Sequence, residues 1–269
     1  MIFITFGSHG GYIDAAVRLT NQANTFQLFT NNIAYTGKYL QLDKPFWKQH
    51  GHFIKNNKRG FGYWIWKPYL ILKTINQMKD GDILLYLDCG CELDFSEKKY
   101  LIEYIEIVKQ DKLMACYTTH IEKLWNKQDL INNLDMNQEH YLITPQREAG
   151  AILLLVCDET RKLVEEWYAT ACNYSMIDDT PSIQPNYIEF KEHRHDQSIF
   201  SLLTKKYNLC SDISINTYCI KYLRNRSGYT LLKPKYWYLT TPYIILVFTA
   251  TILWIHSMWH LLHNRYDAP

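Results

Sequence analysis

At 269 residues the chain is long enough for one sizeable α/β domain and too short for two comfortable ones. A net charge of +2 with 21% charged residues gives no basis for a polyanion-binding stripe. Aromatic residues reach 15%, including 21 Tyr and 8 Trp, side chains that fill cores and also stack on bases and sugar faces.

Residues 2–6 read as a first strand, followed by a loop carrying Gly7, Gly10 and Gly11. The opening MIFITFGSHGG has no basic region before its short apolar run, so no signal peptide is expected. Residues 13–24 predict a helix with Ile13, Ala16, Val17 and Thr20 on one face, and residues 26–30 a second strand. Residues 36–58 are polar, basic and aromatic without a clean period, which predicts a loop and a short helix. A helix over 68–78 places Pro68 in the first turn, where its missing N–H costs little. The apolar run Ile83–Leu87 predicts a buried strand that stops at Asp88.

Residues 100–109 read as a helix and 112–118 as a strand. Residues 120–140, rich in Asn, Gln, Lys and Asp, predict a polar surface region or acceptor-side flap. A strong apolar strand at 150–157 precedes a helix at 159–173, a Pro-bearing loop at 174–190 and a helix at 195–207. Residues 208–235 form a basic return segment. Alternating strands and helices predict an α/β fold with a mainly parallel central sheet. Seven scattered Cys (89, 91, 116, 157, 172, 210 and 219) lack the spacing of a disulfide framework and fit a reducing compartment.

Four stretches carry candidate chemistry. Asp88, in YLDCGCE, sits where α/β enzymes place an acid at the carboxyl edge of a sheet, and Gly90 would let a ligand approach the backbone. It reads either as a carboxylate holding Mn²⁺ or Mg²⁺ on a diphosphate, with help from Glu92, or as a strand-ending turn residue. In RGFGYWIWKP, Arg59 and Lys67 could balance phosphate charge while Tyr63, Trp64 and Trp66 pack on a base, on a sugar or in the core. In EHRHDQS, Asp196 reads as a general base, an acceptor anchor or a helix N-cap, and His195 as a second metal ligand beside Asp88. The opening ITFGSHGG suits close approach of a nucleotide but is neither a GxGxxG nor a GxxxxGK loop. A zinc site from Cys89, Cys91, His193 and His195 has poor spacing.

Taken together, TFGSHGGYIDAAVRLTNQA, RGFGYWIWKPYLI, GDILLYLDCGCEL, QREAGAILL and EHRHDQSIFSLL resemble a family of small nucleotide-sugar glycosyltransferases of bacteria and large DNA viruses, including those of algae. The resemblance covers about residues 1–220 and implies a single Rossmann-like A-type (GT-A) catalytic domain. It implies a hexosyl- or pentosyltransferase moving sugar from a nucleotide-diphosphate donor to a glycan or glycoprotein hydroxyl, with Mn²⁺ or Mg²⁺ on the donor diphosphate. The family's DxD motif reads Asp88-Cys89-Gly90 here, so its second Asp is absent. By the same resemblance Thr5, Gly7 and Ser8 line the nucleotide pocket, Gln146, Ala149 and Gly150 lie near the donor sugar, and Asp196 and Gln197 face donor sugar or acceptor. Two alternatives stay open, a metal-dependent hydrolase of nucleotide sugars and a catalytically inactive transferase-like scaffold.

Residues 221–235 read as a basic juxtamembrane segment and 236–263 as a membrane-spanning or membrane-embedded helix. Tyr and Trp crowd both ends of the apolar stretch, like an interfacial belt. Lys221, Arg224, Arg226, Lys233 and Lys235 precede it, which predicts a catalytic domain facing the cytoplasm.

Overall fold

The computed structural model of the protein describes residues 1–215 and 218–233, and its main compact unit is Met1–Thr230. Strand β1 (Ile2–Gly7) leads through helix α1 (Gly11–Phe26) to β2 (Asn31–Thr36). Helices α2 (Gly37–Leu42) and α3 (Lys44–Asn56), a helical turn α4 (Gly60–Tyr63) and α5 (Trp66–Ile75) precede β3 (Ile83–Leu87). Then come β4 (Glu92–Leu93), α6 (Lys98–Asp111) and β5 (Leu113–Ile121). Three short helices follow, α7 (Glu122–Trp125), α8 (Gln128–Asn133) and α9 (Glu139–Leu142). Strand β6 (Pro145–Leu155), α10 (Asp158–Cys172), α11 (Asp196–Lys206) and β7 (Ile220–Lys221) complete the described elements.

The main sheet has the order β2-β1-β3-β6-β5. β1 pairs in parallel with β2 and β3, whereas β6 runs antiparallel to both β3 and β5. Four strands therefore share one direction and β6 opposes them, which fits the expected mainly parallel α/β sheet. Strand alternation sends Ile4, Phe6, Leu84 and Tyr86 to one face and Phe3, Leu85 and Leu87 to the other. The first face packs with α5, α10 and α11 residues such as Ile71, Trp167 and Phe200. The second packs with Leu19, Leu101 and Val108 of α1 and α6. Asp88 follows Tyr86 by two positions and so lies on the face that α5 covers.

From β1 the chain passes to β2 on one side, and β3 lies on the other. The carboxyl ends of β1 and β3 thus flank a topological switch point, where open α/β sheets take ligands. Gly7 and Asp88 stand at these two ends.

The second strand lies at 31–36 rather than 26–30, because α1 continues through Phe26, fully buried, and ends at Gln27 in a left-handed conformation. Residues 36–58 hold two helices instead of a loop with one. Thr36 accepts the Tyr39 N–H at 3.2 Å and Asp43 the Phe46 N–H at 3.4 Å, capping each start. The stretch 120–140 is likewise no surface flap: Leu130, Ile131 and Leu134 are core residues, and Glu122, Asn126 and Lys127 are buried with them.

The compact unit also extends past the expected boundary at 220. Asn225, Ser227 and Thr230 are bound to the domain through Arg18 and Glu92, so residues up to 230 form a strap on it rather than a free juxtamembrane stretch. The hydrophobic segment 236–263 lies outside the described residues. Among the described residues no helix is long and apolar enough to cross a membrane.

Candidate active site

Helix α5 starts one residue before Lys67, and its packing against the sheet buries that side chain to 3% exposure. A buried ammonium needs acceptors on several sides. Lys67 finds three: Asp196 Oδ2 at 2.7 Å, Asp88 Oδ1 at 3.3 Å and the Ala149 carbonyl at 3.1 Å. The contact with Asp196 Oδ2 is an ion pair without hydrogen-bond alignment. Tyr86, fully within the core, donates its hydroxyl to Asp88 Oδ1 at 2.5 Å. Lys67 therefore ties together the end of β3, the start of α11 and the middle of β6.

The two carboxylates differ in setting. The Asp88 side chain is 42% exposed and that of Asp196 only 6%. Burial pushes Asp196 up to about 6, while Lys67 pulls the other way and Asp88 adds to the rise. Glu148 is also raised, by burial and then by Asp88, with Arg194, Lys67 and Arg224 opposing. Gly150 leaves room for the Asp88 carboxylate: a Cβ there would stand 3.2 Å from Asp88 Oδ2 and 3.7 Å from the Tyr222 ring. His195 sits at the N-cap position of α11 with no side-chain cap bond, and Asp196 turns its carboxylate to Lys67. The simple capping role for Asp196 is thereby displaced.

At the end of β1, Thr5 is buried and its hydroxyl has no hydrogen-bond partner among the described residues. A Cβ at Gly7 would meet the Tyr12 carbonyl oxygen at 2.2 Å, and one at Gly37 the Ser8 carbonyl oxygen at 2.5 Å. Gly7 and Ser8 thus belong to a tightly folded backbone loop beside the switch point.

The strap closes the other side. A Cβ at Gly90 would lie 3.1 Å from the Arg224 Cα, and Asn225 N–H donates to the Gly90 carbonyl at 2.9 Å. Buried Arg18 donates to the carbonyls of Cys89, Cys91, Asn225 and Ser227 at 2.7–3.2 Å. The strap leaves Arg224 and Arg226 exposed, the latter 5.1 Å over the Tyr12 ring. Sequence reasoning missed Arg18, Arg224 and Glu148. Their signal lies in contacts between distant segments.

Other expected site residues stand apart from this cluster. Arg59 pairs with Asp179 at 3.2 Å and Glu192 at 2.5 Å, so its charge is already balanced. Tyr63 and Trp64 pack on the His195 ring, at 5.0 and 5.4 Å between centroids. Phe61, Tyr63 and Trp64 all take positive φ, a strained turn for such side chains. Trp66 is a core residue, stacked on Phe6 at 3.9 Å. Gln146 is buried and bonded to Gln197 at 2.9 Å.

The residues do not fit a prebuilt divalent-metal centre. Asp88 Oδ1 is occupied by Tyr86 and Lys67, and His195 bonds the Ile177 carbonyl through Nδ1 while its Nε2 faces Asp179 at 3.7 Å. Glu92 is fully buried and binds Gln22 and Asn225, which places it in the strap's anchor rather than beside an ion. Among the described residues no group of three His, Cys, Asp or Glu side chains is set to hold a metal. Cys89 and Cys91 are buried thiols, raised by burial, Cys89 to about 12, and so are poor thiolates. A separate cavity of about 730 Å³, lined by Tyr117, Tyr141, Arg147 and Lys205, lies away from Asp88 and shares no residue with the cluster.

No protein-family model matches the chain, and no curated protein matches it in sequence. Among solved structures it is similar to a glycosyltransferase involved in the glycosylation of the major capsid of PBCV-1, with TM-score 0.35 and 8% identity over 62% of this chain. That match spans 65% of the PBCV-1 enzyme's length. Mouse xyloside xylosyltransferase 1, apo form, matches with TM-score 0.42 and 10% identity over 81% of this chain and 86% of its own. The galactosyltransferase LgtC, in complex with donor and acceptor sugar analogues, matches with TM-score 0.44 and 15% identity over 81% and 74%. These likenesses are too distant to lend any residue role to this chain. The functional reading rests on the geometry above.

Proposed function

We propose that the protein is a glycosyltransferase that moves a sugar from a nucleotide-diphosphate donor to a hydroxyl acceptor. The observation that carries the reading is the Lys67–Asp88–Asp196 cluster at the β1/β3 switch point. On one side, the Gly7–Ser8 backbone loop and the Thr5 hydroxyl, to which no described residue bonds, would receive the nucleotide. Exposed Arg224 and Arg226 on the strap supply positive charge for the diphosphate.

Charge separation across the site suits the chemistry. Glycosyl transfer builds positive charge at the anomeric carbon and negative charge on the departing diphosphate. Asp88 and Asp196 would face the first, and the strap arginines the second. Asp196, raised to about 6, is poised to orient or deprotonate the acceptor hydroxyl near neutral pH. Lys67 holds both carboxylates in place and keeps Asp196 ionised more readily than burial alone would allow. The reading routes no step through Mn²⁺ or Mg²⁺, because no described ligand set fits one. With the domain we propose a membrane attachment through 236–263, the catalytic unit facing the cytoplasm.

The test is release of nucleoside diphosphate and transfer of sugar, measured for UDP-, GDP- and TDP-sugars with simple glycan acceptors, with and without Mn²⁺. Transfer abolished by Asp88→Asn and Asp196→Asn is the expected result. Sugar released only to water would replace transfer by hydrolysis, and no turnover or binding would favour the scaffold. Fractionation tests the tail: the full chain should pellet with membranes and a chain ending at Lys235 should not.

A further inference from the structure

Gln197 stands next to Asp196, and its amide is held at the end of a buried chain of polar side chains. Gln197 Nε2 donates to Gln146 Oε1 at 2.9 Å, and Gln146 Nε2 donates to Asn126 Oδ1 at 3.1 Å and to the Trp125 carbonyl at 3.4 Å. Asn126 Nδ2 donates to Glu122 Oε2 at 2.5 Å and to the Glu122 carbonyl at 3.0 Å. Glu122 Oε1 then accepts from Ser201 and from Lys205 Nζ. Glu122, Asn126 and Gln146 are at most 1% exposed, so no water competes for these groups.

An amide can turn end for end, and only its surroundings decide which end donates. Here the decision starts at a carboxylate. Lys205 has three acceptors around its ammonium: Glu122 Oε1 at 2.5 Å, Thr144 Oγ1 at 2.6 Å and the Pro145 carbonyl at 2.8 Å. Glu122 facing a cation and a hydroxyl donor is the acceptor-only form. Asn126 must then aim its NH₂ at Glu122, since turning would set Oδ1 against both a carboxylate and a carbonyl oxygen. That leaves Asn126 Oδ1 to accept. Gln146 must donate to it, which leaves Gln146 Oε1 to accept from Gln197.

We propose that Glu122, Asn126 and Gln146 are positioning residues that fix the sense of the Gln197 amide, so that Gln197 offers the substrate its carbonyl oxygen and never its NH₂. No described residue donates to Gln197 Oε1, and Gln197 is half-buried, so that oxygen is free to receive a ligand group. The group read there is a hydrogen-bond donor, a sugar hydroxyl. A carboxylated sugar presenting an oxygen anion at the same place is rejected, because two acceptors meet. This assignment of the substrate group rests on the glycosyltransferase reading, whereas the sense of the relay does not.

Neutron diffraction from deuterium-exchanged crystals of the full-length chain separates the two questions, because it distinguishes nitrogen from oxygen in each amide. The wild-type protein should show the Gln197 ND₂ directed at Gln146. Glu122→Gln sets a donor against Asn126 Nδ2 while the Glu122 and Trp125 carbonyls still accept, so Asn126, Gln146 and Gln197 should each show mixed senses. A wild-type Gln197 with its ND₂ turned outward, or a single unaltered sense at all three amides of the variant, overturns the relay whatever the enzyme's substrate. Kinetics provide the second arm, on whichever sugar nucleotide of a panel of UDP-glucose, UDP-galactose, UDP-xylose, UDP-glucuronate and GDP-mannose the wild type consumes. Glu122→Gln should lower kcat about tenfold with KM changed less than about threefold, as expected for a group acting mainly in the transition state. The same substitution in a Gln197→Met background should cost nothing further. If the two losses instead multiply, Glu122 acts by supporting the fold and not through Gln197. A preference for UDP-glucuronate over UDP-glucose would contradict the acceptor role of Oε1. Absence of turnover across the panel would sink the transferase reading and leave the relay to the diffraction result.

Discussion

Replacing Lys67 by Met removes a buried charge and keeps the side-chain length. Lys67 Nζ is 2.7 Å from Asp196 Oδ2 and 3.3 Å from Asp88 Oδ1, so the variant leaves Asp196 alone in a site where its side chain is only 6% exposed. Burial already pushes Asp196 from 3.8 up to about 6 against the pull of Lys67. Without that pull the rise is larger. A carboxyl whose folded value is raised favours folding fully below its unfolded value and loses that contribution as pH rises through the folded value. In the wild type the loss falls between 3.8 and about 6. At 1.36 kcal/mol per unit it amounts to about 3 kcal/mol. In the variant the window extends upward, and Lys67, itself raised in the fold by its two carboxylates against desolvation, no longer contributes at neutral pH. The penalty of Lys67→Met should therefore grow with pH, from about 1 kcal/mol at pH 5 to about 3–5 kcal/mol at pH 8, the cost of breaking a buried pair. Urea unfolding followed by tryptophan fluorescence at both pH values measures it. Removing both charges in Lys67→Met/Asp196→Asn should recover much of the loss, since deleting a buried pair is cheaper than halving it. A small, pH-independent penalty, or a double variant no more stable than the single one, would refute the buried-pair account.

Gly150→Ala should push the Asp88 carboxylate by a few tenths of an ångström and cut turnover about tenfold, with stability changed by less than about 1 kcal/mol. Parallel kinetics and thermal melts check this, and unchanged turnover would place Asp88 outside the reaction. Arg18→Met strips four carbonyls of their donor and should cost about 3 kcal/mol or more while making residues 224–230 sensitive to limited proteolysis. An unaltered digestion pattern would mean that the strap is held by other contacts. The rate of sugar transfer should fall as pH drops below about 6, where Asp196 takes a proton, and Asp196→Asn should lack that acid limb. A limb that persists in the Asn variant would belong to another group.

The part of the site legible in the sequence is the part written locally. Ile83–Leu87 is a continuous apolar run, and such a run ending in Asp88 states both a buried strand and an acid at its end. Asp196 is legible as an ionisable group at a helix start, but the sequence alone leaves capping open beside catalysis, because the partner that separates them, Lys67, arrives from α5. His195 looked like a companion to Asp88. The left-handed turn through Tyr63 and Trp64 instead brings aromatic rings onto its imidazole, and φ signs at non-glycine residues leave little trace in a sequence. Arg18 reads as a solvated position on an amphipathic helix, and only the strap returning over Gly90 buries it. Glu122 and Asn126 sit in a polar segment that resembles a surface, yet polar residues that satisfy one another are as buried as the core around them.

The central claim is that Asp88, Asp196 and Lys67 serve a nucleotide-sugar donor. The most direct test is calorimetric titration of the full-length chain with UDP-, GDP- and TDP-sugars, with and without Mn²⁺, in the wild type and in Asp88→Asn. The account predicts saturable binding of one donor class, measurable without added metal and weakened at least about tenfold in the variant, the scale of one lost charged hydrogen bond. Equal binding by wild type and variant, or none to any donor, would contradict it.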